Sequence, residues 1–82
     1  MRLPKLNSRC VVLWLDCVGF INRPLSEAKV AAVWTEGKLV KAEKEFIVIA
    51  SSQYIDPDEP AAERTGDYTA IPLGMIKSIK RL

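Results

Sequence analysis

The stretch "AAVWTEGKLVKAE", residues 31–43, decides how this chain folds. It reads as one long strand bent at Gly37. Glycine inside a strand marks a bulge or sharp bend, the device by which a small barrel passes one strand between two sheets. After the bend Leu39 is apolar while Lys38 and Lys41 are charged, so one side faces water. The reading therefore starts from β structure.

The flanking segments agree. Upstream, "CVVLWLD" (residues 10–16) is rich in β-branched and aromatic residues, with Val11, Leu13 and Leu15 on one face and Cys10, Val12 and Trp14 on the other. Both faces are apolar, the pattern of a strand covered on two sides or lying at a subunit contact. "GFINRPLSEAKV" links it to the central strand, with Gly19 and Pro24 marking the connection. Ser26 is placed to cap a short helical turn near residues 26–30, with Glu27 favourably near its start. Downstream, "AEKE" makes a polar hairpin turn and "FIVIASS" returns as a third strand. "DYTAIP" is a fourth strand, "PLGM" a tight turn, and "IKSIKRL" a fifth strand.

Five short strands, one bent in the middle, predict a mainly β fold: a single small SH3-like or Sm-like barrel over residues 1–82. An open, curved antiparallel sheet with a helix on one face is the competing arrangement. Between the third and fourth strands runs "SSQYIDPDEPAAERTGDYTAIP", residues 51–72. Its Pro57 and Pro60 cannot donate to a sheet ladder, and Gly66-Asp67 signals a turn. Residues 55–67 are expected to project as an acidic loop.

Charge and composition bound the function. Twelve Lys and Arg against ten Asp and Glu leave a formal charge of +2, too small for bulk attraction to nucleic acid or membrane. The charge is unevenly spread: Arg2, Lys5, Arg9 and Lys77, Lys80, Arg81 make basic ends around the acidic loop. No apolar run approaches the ~20 residues that span a bilayer. "MRLPKLNSRC" has charge without a small-residue cleavage pattern, so a cytoplasmic protein is expected. Cys10 and Cys17 lie roughly 20 Å apart along an extended strand, beyond disulfide reach, and are expected reduced and mostly buried.

"VWTEGKLVKAEKEFIVIASS", followed after a variable loop by "TAIPLGMIKSIKRL", resembles a group of small proteins encoded by bacteriophages and bacteria. Gly37, Phe46 to Ser51, Ile71, Pro72, Gly74, Ile76 and Ile79 carry the likeness, and the opening "VVLWLD" is similar too. The resemblance implies a barrel and a viral or mobile-element setting, host cytoplasm included. Its signature is structural and implies no catalytic residue. Leu73 stands where that group often has a basic residue, so an acidic ligand bound there elsewhere would not bind here.

Chemistry is constrained by what is missing. Without histidine there is no Ser-His or Cys-His pair and no imidazole metal site, and two cysteines fall short of a zinc set. "GKL" lacks the rest of a P-loop. "DPDE", residues 56–59, is read as a solvated turn in which Asp56 and Asp58 make Asx-type bonds, since its prolines break a calcium-loop pattern. A non-enzyme without cofactor or metal is expected.

Candidate binding residues are therefore aromatic and charged. Trp34 could stack on a ligand while Arg23 or Arg64 meets an anion, with Tyr54 and Tyr68 alongside. Asp56, Asp58 and Glu59 could imitate nucleic-acid phosphates towards a basic host protein. The expectation is a phage-type binding module that occupies a host-protein site, as an inhibitor would, or captures a small, nucleotide-like anion. Homo-oligomers are expected, because both faces of residues 10–16 and 46–50 need cover. A nucleic-acid-binding module using the basic ends, and a structural virion or assembly component, are the alternatives.

Overall fold

The computed structural model describes all residues, Met1–Leu82. It is mainly β: β1 (Arg9–Asp16), β2 (Ala31–Ala42), β3 (Phe46–Gln53), β4 (Gly66–Pro72) and β5 (Ile76–Arg81). The strands form one antiparallel sheet in the order β4-β3-β2-β1-β5. It is not closed, because β4 and β5 lie at opposite edges and do not pair. Helical structure is confined to single 3₁₀ turns at Leu25–Glu27, Ala61–Glu63 and Leu73–Met75. No helix is long and apolar enough to cross a membrane.

The length of β2 explains the shape. Its first half, from Ala31 to Lys38, pairs with β1, and its second half, from Lys38 to Ala42, pairs with β3. Lys38 alone stands in both ladders, so β2 splices two three-stranded halves end to end. The radius of gyration is 15.2 Å, against about 12 Å for a compact chain of this length.

Gly37 sits at the splice for a reason different from the expected bulge. The register runs through it unbroken, and the irregularity falls between Leu39 and Lys41 instead. A Cβ on Gly37 would collide with the Ala50 carbonyl and stand 2.8 Å from Ile49 Cγ2. Its missing side chain lets β3 cross closely, which starts the bend that the Val40 bulge completes.

The core lies where the halves meet. Cys10 and Val12 of β1, Leu39 of β2, Ile47 and Ile49 of β3, Ile71 of β4 and Ile76 of β5 form one buried cluster. Leu3, Trp14, Leu73 and Ile79 pack around it. Only 9 of 82 residues are buried, so this core is thin. The opposite face of β1 is half-covered at Val11, Leu13 and Leu15, not closed over as its composition suggested.

Beyond the core the β1–β2 hairpin continues alone. The last β1–β5 pair is Trp14 with Ile76, while β1–β2 pairing goes on to Asp16 and Ala31. The connection 17–30 caps this arm and is exposed at every residue but Glu27. Its 3₁₀ turn is entered from Pro24 without a side-chain cap, so Ser26 does not play the capping role its position suggested. Cys17 is exposed as well, contrary to the expected burial of both thiols. It lies just past the strand end, where no neighbouring strand covers it.

Candidate functional site

The eight candidate binding residues are distributed over several places. Arg64 and Tyr68 come together at a cleft of about 410 Å³, whose floor is Val40 and Val48 of the sheet and whose wall is Ala61 and Ala62. Lys41, Gln53 and Asn7 complete the lining. Tyr54 borders a neighbouring depression with Thr65 and Asp67. Asp56, Asp58 and Glu59 occupy the tip of the loop between β3 and β4. Arg23 belongs to the 17–30 connection, and Trp34 to the stretch of β2 that only β1 flanks. Trp34 precedes Lys41 along β2 by roughly 23 Å at about 3.3 Å per residue.

The cleft exists because the β3–β4 connection is tied at its base. Tyr54 N–H donates to the Thr65 carbonyl at 2.9 Å, closing the loop. Tyr68 Oη donates to the Arg64 carbonyl at 2.7 Å and accepts from Gln53 Nε2 at 3.1 Å. Ser52 Oγ donates to Asp67 Oδ2 at 2.8 Å, and Gly66 allows the strands to approach where a Cβ would press into the Ser52 carbonyl. A bulge between Ala50 and Ser52 turns this end of β3. The 3₁₀ turn Ala61–Glu63 then stands beside the sheet and forms the wall.

Electrostatics separates the cleft from the tip. The cleft lining carries two cations, Lys41 and Arg64, and no carboxylate. Arg64 Nε is shielded from solvent without a hydrogen-bond partner, as is Gln53 Oε1. Buried donors without partners are uncommon and call for an explanation. Lys41 Nζ lies 3.7 Å from Glu43 Oε1 and 5.8 Å from the Phe46 ring centroid. At the tip, Asp56 Oδ1 accepts from Asp58 N–H at 2.9 Å, the Asx-type turn read from the sequence.

Arg23 and Trp34 are engaged differently. Arg23 Nε is 2.7 Å from Glu27 Oε2, an ion pair within the connection. Trp34 stands 71% exposed on the face shared with Leu13, while Trp14 Nε1 donates to Thr35 Oγ1 at 2.9 Å on the other face. The structure therefore does not unite Trp34 or Arg23 with Arg64 in the cleft. Lys41, Gln53 and Val40 were missed by the sequence reading. They reach the cleft through strand register and the Val40 bulge, neither of which leaves a local signature.

No group of three or more His, Cys, Asp or Glu side chains is arranged to hold a metal ion. The buried Cys10 thiol is pushed above its ordinary pKa by desolvation. Comparisons with family models, curated proteins and solved structures return no match to this chain.

Proposed function

We propose that the chain is a non-enzymatic binding module that captures a small anionic ligand in the cleft between β3, β4 and their connection. The observation that carries this reading is a cleft lining with two cations, Lys41 and Arg64, and no carboxylate. A guanidinium offers directed, charge-assisted bonds to a phosphate or carboxylate. The apolar floor of Val40 and Val48 and the Tyr68 ring suit a flat or apolar body attached to that anion. A nucleotide-like ligand has both parts. The likeness to small phage proteins fits a role in sequestering such a molecule within a host. We also read the strand order and the 3₁₀ turn before β5 as an opened relative of an SH3-like or Sm-like barrel.

The test is calorimetric titration with a nucleoside monophosphate, its free nucleoside and inorganic phosphate, on the wild type and on Arg64→Met. Support is saturable binding of the monophosphate that the variant loses by at least tenfold. Absence of binding by all three, with no retained mass in the native mass spectrum of gently purified protein, would sink the reading. The acidic tip would then be tested as bait for a host protein.

A further inference from the structure

The arm carries an inference of its own, independent of the cleft. Residues 31–36 of β2 pair with β1 and with nothing on their other side, because β3 joins β2 only at Lys38. An unpaired strand edge is a template for another strand, and proteins ordinarily blunt it with charge or proline. The two outer edges of this sheet are blunted so: β4 carries Asp67 and Pro72, and β5 carries Lys77, Lys80 and Arg81. The free part of β2, "AAVWTE", has no proline and no charge until Glu36.

Its faces are also uncovered. Trp34 and Ala32 are exposed beside Leu13 and Leu15 on one face. The adjoining connection leaves Ile21 90% and Leu25 89% exposed, with Phe20 and Val30 also open.

The total area says how large the missing cover is. The chain exposes 6330 Å² at 9.2 kDa, where a compact monomer of that mass exposes about 4,900 Å². The excess is about 1,400 Å² per chain, within the share each subunit of an obligate homodimer buries. A thin core needs such cover whenever the chain is folded, and a second copy is the one partner always present at equal concentration.

We infer that the free edge of β2 at residues 31–36, with the apolar arm around it, is the interface with a second copy of this chain. The pairing is antiparallel about a two-fold axis, since an isologous contact runs each strand against its own reverse. That direction carries the 17–30 connection of each copy towards the body of the other, where Ile21, Leu25 and Val30 find cover.

Two measurements on the full chain decide it. Sedimentation velocity from nanomolar to high micromolar concentration is expected to give twice the 9.2 kDa mass at the upper end. Ala32→Lys combined with Trp34→Lys changes two exposed positions and is expected to hold the chain at single mass with its β circular dichroism intact. Hydrogen exchange of the unmodified chain needs no variant: the alternate amides of residues 31–36 that point away from β1 should slow at least tenfold between dilute and concentrated samples, while β4 and β5 stay unchanged. A wild type that remains monomeric at every concentration overturns the inference. So does a dimer that survives both lysines, or one whose added protection falls on β4 or β5. A monomer that instead binds neutral lipid vesicles through the arm overturns it as well.

Discussion

The body and the arm of this sheet are built from the same kinds of residue and end differently. In the body, Ile47 and Ile49 lie on β3, paired with β2 on one side and β4 on the other, and their side chains are fully or almost fully excluded from water. In the arm, Leu15 and Ala32 lie on the two-stranded end of the β1–β2 hairpin, past the last β1–β5 pair, and neither is buried. An isolated hairpin is marginal in water because no third strand or second layer completes its burial. The difference teaches that apolar composition specifies strands, while the number of neighbours decides which strands become core.

The comparison breaks most readily in the body. Ile47→Ala removes a fully buried side chain from a cluster of seven and is expected to cost about 3 kcal/mol, read as a lower denaturation midpoint. Against a total of about 5–15 kcal/mol for ordinary domains, that loss is about a fifth to three fifths of the stability. At the cleft, Arg64→Met is expected to weaken ligand binding about ten- to a hundredfold, the worth of a hydrogen bond to a charged group, without moving the midpoint comparably. Tyr68→Phe removes the bond to the Arg64 carbonyl and should lower stability by about 1 kcal/mol, with faster hydrogen exchange across residues 54–65.

Smaller effects sharpen the contrast. Trp34→Lys should change the stability of the dilute chain by no more than about 0.5 kcal/mol, since the side chain is already exposed, and chemical denaturation would register anything larger. The smallest effect is at Cys10. Its folded pKa is raised above the ordinary 9.0, so its contribution to stability is complete below that value. The contribution is lost as pH rises from 9.0 through the folded value. Alkaline titration of the denaturation midpoint should show a decline that Cys10→Ala reduces. A thiol reagent below pH 9 should label exposed Cys17 well before Cys10.

Much of the strand content was legible because β-branched and aromatic runs separated by Pro, Gly and charged turns leave a local record. The segments "CVVLWLD", "FIVIASS" and "DYTAIP" became β1, β3 and β4, and the tight turn expected at "PLGM" is a single 3₁₀ turn. Sheet closure was not legible, since it depends on how far β2 carries its two partners apart. The arm escaped notice for a related reason. Phe20, Ile21, Leu25 and Val30 follow no strand or helix period, and a residue type alone does not say that nothing will cover it. At the cleft, Arg64 and Tyr68 were found as charged and aromatic residues near a turn, whereas Lys41 and Val40 needed the register between β2 and β3.

The splice at Lys38 also sets an order of assembly. β2 and β3 are joined through the short turn 43–45, so their ladder closes a small loop and can form early. β1 and β5 lie almost a whole chain apart in sequence, and pairing such as Val12 with Ile79 must wait until the rest has gathered. Until then Val12 and Cys10 have only half their cover, and the free edge of β1 is as open as the arm. The late-closing seam is thus the stage at which this chain is most exposed to pairing with the wrong strand.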